Sequence, residues 1–250
     1  MAKLFFLGTS DAFNAAGRAN SCYWVEDALG HYVVDFGPTA LYQCQRYGLD
    51  VNRLDGVFLT HLHGDHIGGL AMLLVHLQYQ SDRKRPLVIA GPEGTEQRVL
   101  ALRESAYPSV VRSGLQFPIE YRTWAVPGDV DVLGRKVRAI RARHDRIAVA
   151  TSFRVDTDAY SFSFSGDTGW QPALAELVSG SDVFVCECTN VVADYWAHLS
   201  VEELEALRDQ FHVKRMFVSH MSEPARAALL EAEKRLNVTV ADDGLQVDVS

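Results

Sequence analysis

FLTHLHGDHIGG, Phe58 to Gly69, places His61, His63, Asp65 and His66 within six consecutive positions. The run before it, DGVFLT (Asp55 to Thr60), is apolar with β-branched character and reads as a buried strand. After it, Leu70, Leu73, Leu74 and Leu77 recur at the spacing of one helical face, so a helix is expected from Asp65 to Tyr79. The histidines therefore sit at the C-terminal end of a strand, where α/β sheets commonly build their sites. His61 and His63 alternate along an extended segment and can point to one side. Gly64 permits a tight turn, and Asp65 and His66 then approach from the start of the helix. Imidazoles and carboxylates are the usual ligands of zinc, manganese and iron, and HxHxDH can feed two adjacent metals. The competing reading is a histidine-rich solvated turn. Three of the chain's nine histidines crowded behind one strand argue against it.

The rest of the chain supplies a frame for this loop. KLFFLG, SCYWVE and HYVVDFG read as strands, TALYQCQRYG as a short helix, PLVIAG as a buried strand and GPEGTEQRVLALRESA as a helix. The middle, from about Gln116 to Ser165, is mostly strand. QPALAELVSG reads as a helix, SDVFVCECT and KRMFVSH as strands, and EPARAALLEAEKRLN as a helix. Ser200 with Glu203 forms a capping-box pattern before a helix expected to run to about Phe211. Two strand-heavy stretches, each followed by strand–helix alternation, imply two packed sheets with helices outside. No linker, repeat or low-complexity tract divides the 250 residues, so one domain spanning 1–250 is expected.

Bulk composition narrows the function. The chain is 48% hydrophobic and 22% charged, as globular proteins are. Its net charge of -8 argues against a long nucleic-acid interface, which needs a basic surface. A polyanionic substrate would need a local positive source. Cys22, Cys44, Cys186 and Cys188 form no CxxC pair and read as buried thiols. The opening MAKLFFLGTS has no leader pattern and no run reaches membrane-spanning length, so a cytoplasmic chain without membrane association is expected.

Three further residues at strand ends complete a ligand inventory. His144 follows KVRAIRA, Asp167 lies in SFSFSGDTG, and His220 ends KRMFVSH. Each alone reads as a turn or core residue; together they offer one ligand from each of three loops.

THLHGDH, then a lone histidine, then SGDT, then VSH resembles the metallo-β-lactamase superfamily, over nearly the whole chain from LGTSDAF to HMS. The resemblance implies an αββα sandwich with two mixed sheets, outer helices and a two-metal site at one edge. Carried over motif by motif, His61, His63 and His144 would hold one metal. Asp65, His66 and His220 would hold the second, with Asp167 bridging. Zinc is the first expectation, with manganese and iron as alternatives. Asp65 and Asp167 would also serve catalysis.

Within the superfamily, LGTS, VVDFG, GPEG and above all CECTNVVADYWAHLS resemble the tRNase Z and phosphodiesterase-like branch. The last stretch matches an E-x-T … H-x-S element, with Glu187 and His198 as counterparts. There the histidine protonates the leaving oxygen, helped by the glutamate, while a hydroxide shared by two metals attacks phosphorus. Departures matter. No insert matches the tRNA-gripping arm, His220 is followed by MSEPAR instead of an Arg-Tyr pair, and GRANS replaces a longer Pro- and Lys-containing element. A small phosphodiester fits better: a cyclic nucleotide, a sugar cyclic phosphate or a short RNA. The alternatives are a two-metal hydrolase of a carbon electrophile (lactone, thioester or β-lactam-like), or a non-catalytic metal-binding protein. The resemblance also implies a homodimer.

Lesser candidates are Arg18, for phosphate, and Thr60, Thr168 and Ser222, as hydrogen-bonding neighbours of ligands. Trp24 and Trp124 read as core, whereas Trp170 and Trp196 are better placed to line a pocket. His31, His76 and His212 belong to no motif, and DRKR (Asp82 to Arg85) reads as a solvated turn.

Overall fold

The first strand, β1 (Ala2–Gly8), shows why two sheets stack. It reads AKLFFLG and is buried almost throughout. Leu4 and Phe6 enter one apolar cluster, Phe5 and Leu7 another. Successive side chains of a strand point to opposite faces, so a strand that is apolar from Leu4 to Leu7 must be covered on both. A computed structural model describes residues 1–249. After β1 come β2 (Cys22–Asp27), β3 (Gly30–Val34), β4 (Gly56–Phe58), β5 (Leu87–Gly91) and β6 (Ile119–Thr123). The second half supplies β7 (Gly128–Val132), β8 (Arg135–Arg141), β9 (Thr151–Asp156) and β10 (Ser161–Phe164). It continues with β11 (Val183–Glu187), β12 (Arg215–Ser219) and β13 (Thr239–Val240), and β14 (Gln246–Val249) returns to pair antiparallel with β1.

The strands form two seven-stranded sheets, ordered β14-β1-β2-β3-β4-β5-β6 and β13-β12-β11-β10-β9-β8-β7. Each is mixed. In the first, β1, β2 and β3 pair antiparallel and β3 to β6 run parallel. In the second, β7 to β10 pair antiparallel and β10 to β13 run parallel. Aromatic rings meet between the sheets, Phe6 against Phe217 at 5.4 Å and Tyr23 against Phe164 at 5.8 Å between centroids.

Helices close both outer faces. On the first sheet α1 (Ala40–Arg46), the short α2 (Gly64–Ile67), α3 (Leu70–Tyr79) and α4 (Thr95–Ala106) precede α5 (Pro108–Ser113). Leu41, Leu73, Leu77 and Val99 from this layer pack with Phe5, Leu7 and Val57. On the second, α6 (Pro172–Val178), α7 (Val201–Leu207) and α8 (Glu223–Leu236) place Leu174, Leu204 and Leu229 against Phe184 and Val218. This is the expected αββα sandwich.

Three local expectations change. The helix expected over Asp65 to Tyr79 is two helices, broken at Gly68 and Gly69. The chain leaving β3 threads beside the break: Phe36 N–H donates to His66 O at 2.7 Å, and Gly69 N–H to Phe36 O at 3.0 Å. A Cβ at Gly69 would lie 2.3 Å from Gly37 O, so only glycine lets the backbones approach. The helix after Ser200 ends at Leu207 and tightens into a 3₁₀ turn to Gln210. Its capping box is present, with Glu203 N–H to Ser200 Oγ at 3.2 Å and Ser200 N–H to Glu203 Oε2 at 3.0 Å. DRKR is not a solvated turn throughout. Arg83 is buried and donates to the carbonyls of Asn52, Leu54 and Pro86, because that chain crossing leaves three carbonyls unpaired by strands.

All four cysteines are buried and free, and Trp24 and Trp124 lie in the core, as expected. At the end of the sandwich away from the histidine loop, Arg135 and Asp27 tie the sheets by a buried pair of contacts at 2.9 and 2.5 Å. Among the described residues no helix is long and apolar enough to cross a membrane.

Candidate metal centre

Strand alternation delivers the site. In β11, Val183 and Val185 face the other sheet while Phe184 and Cys186 face the helices. Glu187 continues the inward series and emerges at the sheet edge. β3, β4, β10, β11 and β12 all end at this edge, with Asp35, His61, Asp167, Glu187 and His220 at or just beyond their C-terminal ends. His144 comes from the connection between β8 and β9. His220 adopts a left-handed backbone, φ 51°, which few non-glycine residues do.

The structure brings the expected ligands into two adjoining groups. His61, His63 and His144 form one; Asp65, His66, Asp167 and His220 form the other, with ligand atoms within 4.8 Å of one another in each. Asp167 lies between them. Its Oδ2 is 3.7 Å from both His61 Nε2 and His144 Nε2 and 3.4 Å from His220 Nε2. Its Oδ1 is 3.3 Å from His66 Nε2. His61 Nε2, His66 Nε2 and Asp167 Oδ1 are buried with no hydrogen-bond partner. Such orphans cost about 1–3 kcal/mol each, and a divalent cation at their focus relieves that cost. The donor set of imidazole nitrogen and carboxylate oxygen fits zinc, manganese or iron.

Partners on the far side of each ring decide which nitrogen faces inward. His66 Nδ1–H donates to Asp35 Oδ2 at 2.7 Å, and His144 Nδ1–H to Ala197 O at 3.0 Å. His61 Nδ1 lies 3.0 Å from Thr60 Oγ1, and His220 Nδ1 lies 2.9 Å from Thr189 Oγ1. Asp35 is itself held by Thr60, whose N–H and Oγ1–H both reach it at 2.8 Å. These contacts fix tautomers and leave Nε2 of four rings aimed at the centre.

Charge is balanced within the site. Burial pushes His61 well below its ordinary value, and His66 beside it adds to the shift. Burial lowers His144 as well, against the pull of Asp167. Burial would lower His66 too, but Asp167, Asp35 and Asp65 raise it well above its ordinary range. Burial works against Asp167 ionising, yet His220, His66 and His61 hold it well below the carboxylate range. Ionised carboxylates and neutral imidazoles are the forms that bind metal, so a cation at this focus would take the place of the proton that the three carboxylates hold on His66.

Beside these groups the buried Glu187 pairs with the half-buried His198. His198 Nδ1–H donates to Glu187 Oε1 at 2.8 Å. Glu187 also accepts from Thr168 N–H at 2.7 Å and from Thr189 N–H and Oγ1–H at 3.1 and 2.9 Å. Burial alone would lower His198, but the Glu187 carboxylate raises it to about 9. The His198 ring lies 4.8 Å from that of His144 and stacks on His220 at 5.8 Å.

The other candidates divide. Thr60 meets His61 as expected; Thr168 instead holds Glu187 and the Arg143 amide, and Ser222 caps α8 while donating to Thr189 O at 2.6 Å, neither bonding to a ligand. Arg18 is buried and donates to Met221 O at 3.0 Å, holding the backbone behind His220 and leaving no open guanidinium for phosphate. Trp170, half-buried, packs edge-on against Phe211 at 5.6 Å, on the flank of the helix-side core. The Trp196 ring carries the Arg146 guanidinium at 4.8 Å. His31 pairs with Arg53 at 2.8 Å, outside the site. Sequence reading missed Asp35 as the partner of His66 and Thr189 as the contact shared by Glu187 and His220. The signal for Asp35 was an aspartate directly after an apolar strand, in VVDFG.

Fold and site together define a metal-dependent hydrolase of the metallo-β-lactamase superfamily, in its tRNase Z-like branch. The ribonuclease Z of Staphylococcus epidermidis is 34% identical over 238 residues, covering 76% of this chain and 78% of that one. Among solved structures, the metallo-β-lactamase fold protein YhfI of Bacillus subtilis superposes with a TM-score of 0.79 at 18% identity, over 99% of this chain and 100% of that one. The short form of human tRNase Z superposes with a TM-score of 0.78 at 23% identity, over 99% of each chain. The chain belongs to the family described as anti-Pycsar protein Apyc1, whose pattern it matches over residues 2–239.

Proposed function

We propose that the protein is a phosphodiesterase acting on a small substrate: a cyclic nucleotide, a sugar cyclic phosphate or a short RNA. In this reading His61, His63 and His144 hold one divalent ion, Asp65, His66 and His220 hold a second, and Asp167 is shared. Zinc is the expected metal. A homodimer of single-domain chains belongs to the same reading. The observation that carries it is the Glu187–His198 pair, 2.8 Å apart and packed against ligand rings of both groups.

Bound divalent ions would supply an activated water and positive charge for a phosphate. The remaining work falls to side chains. His198, protonated at neutral pH, donates its Nε2 proton to the departing alkoxide. Glu187 holds His198 by Nδ1–H and keeps it charged. Thr168 and Thr189 hold Glu187 in turn, so the acid is oriented before substrate arrives. Asp167 and Asp65 keep the ligand histidines balanced in charge. The small-substrate class is supported by the net charge of -8 and by the lack of a basic insert to grip a folded RNA.

The test is turnover of zinc- and manganese-loaded protein on 3′,5′- and 2′,3′-cyclic nucleotides, short RNA, a lactone and a thioester. His198→Ala and Asp167→Ala run beside wild type. Metal-dependent cleavage of a phosphodiester that both variants lose supports the proposal. Cleavage of the carbon electrophiles alone, or phosphodiester turnover unchanged in His198→Ala, overturns it.

A further inference from the structure

His63 differs from the other histidines of its group. His61 and His144 present Nε2 to the centre, and their Nδ1 atoms meet Thr60 and Ala197. His63 is turned the other way: its Nδ1 lies 3.0 Å from His144 Nε2, and its Nε2 points outward. It is also the least enclosed, with its side chain 45% exposed against 2% for His61 and 7% for His144. Packing alone does little to fix this ring.

What meets its outer nitrogen is Asp145, the residue directly after His144. His63 Nε2–H donates to Asp145 Oδ2 at 3.1 Å. The other oxygen, Oδ1, accepts from the backbone N–H of Ile147 at 2.7 Å and of Ala148 at 3.1 Å. The loop is tied down further, by Arg143 N–H to Thr168 Oγ1 at 3.0 Å and by Arg146 over Trp196. One carboxylate thus shapes the loop that carries His144 and receives the proton of His63.

We infer that Asp145 is a positioning residue that holds His63 as the Nε2–H tautomer, with its Nδ1 lone pair aimed at the first group, and so sets that group's affinity for a divalent ion. The inference rests on the proposed assignment of His61, His63 and His144 as ligands. A neutral imidazole has one proton; with it on Nε2, Nδ1 is free to ligate. A carboxylate accepts only, so it selects this tautomer. Partners of this kind typically change metal affinity by about 10- to 100-fold.

The simpler role, a cap for the loop amides alone, is separable by Asp145→Asn. One amide oxygen can still accept from Ile147 and Ala148. The amide nitrogen then faces His63, and it donates where the carboxylate accepted. His63 must accept at Nε2 and carry its proton on Nδ1, which blocks ligation. Zinc affinity is read by competition with a chromophoric chelator, zinc per chain by elemental mass spectrometry, and folding by thermal melting. Asp145→Ala and His63→Ala are measured in parallel. The expected result is that Asp145→Asn melts near wild type and binds one zinc ion about 10- to 100-fold more weakly. Asp145→Ala should show the same affinity loss with a lower melting temperature. Wild-type zinc affinity in Asp145→Asn, while His63→Ala loses an ion, overturns the inference alone. Both ions retained by His63→Ala overturns the ligand assignment and the inference with it.

Discussion

Gly169→Ala adds one methyl group and should disable the site from behind. A Cβ at Gly169 would lie 2.0 Å from Trp196 O and 2.9 Å from Trp196 C. Ordinary contact begins at 3.4 Å, so from 2.0 Å one backbone must retreat by about 1.4 Å. Neither side is free to yield. Gly169 is two residues after Asp167, and its N–H donates to Arg143 O, next to His144, at 2.9 Å. Trp196 is one residue before Ala197, whose carbonyl holds His144, and two before His198. A displacement of about 1 Å at a reacting group costs on the order of 10²-fold in rate. The assay is kcat and KM on a cyclic nucleotide, with zinc content and melting temperature measured on the same samples. The expected result is kcat lowered about 10²-fold with a folded protein. Gly64→Ala is the control: it lies in the histidine loop, and its added Cβ meets nothing within 4 Å. It should keep wild-type turnover. A Gly169→Ala protein with wild-type kcat would refute the claim that this contact positions the catalytic loops.

Removing the acid should matter most when the leaving group is poor. His198→Ala is expected to lose about 10²–10⁴-fold on a cyclic nucleotide and much less on bis(p-nitrophenyl) phosphate, whose phenolate needs no proton; equal losses on both would refute a proton-donating role. The pH profile carries a second signature. His198 is raised to about 9 by Glu187, so its acid form persists through neutral pH and is lost as pH rises through that value. Glu187→Gln removes the raising charge and leaves burial, so the alkaline limb of kcat should move to lower pH, and a limb that stays in place contradicts the pairing. At the other end, Arg135→Ala leaves the Asp27 carboxylate, 4% exposed, without its counter-charge and should cost about 3–5 kcal/mol in urea denaturation. Burial opposes ionisation of Asp27, but Arg135 and Tyr160 hold it below its ordinary 3.8. That pair's stabilisation is therefore present above about pH 3.8 and lost as pH falls through the lower folded value.

Much of this protein was legible before folding. Alternation and apolar runs announced the strands, because a strand between two layers must be apolar on both faces, as β1 is. The chemistry of HxHxDH, the lone His144, SGDT and VSH named seven ligand candidates, because few side chains can hold a divalent ion. The E-x-T … H-x-S element pointed to Glu187 and His198. Tertiary structure decided the rest. Arg18 reads as a partner for phosphate until Met221 O, 203 positions away, is seen to accept from it. Arg83 sits in a charged tetrapeptide, yet three carbonyls bury it. The break between α2 and α3 arises because the chain leaving β3 inserts its own hydrogen bonds, which periodicity cannot register. Asp35, Thr189 and Asp145 gain their roles only where strand ends converge. A ligand's identity is local chemistry and is written in the sequence. Which of its two nitrogens faces the centre depends on hydrogen-bond partners from distant strands, and only the folded chain supplies those.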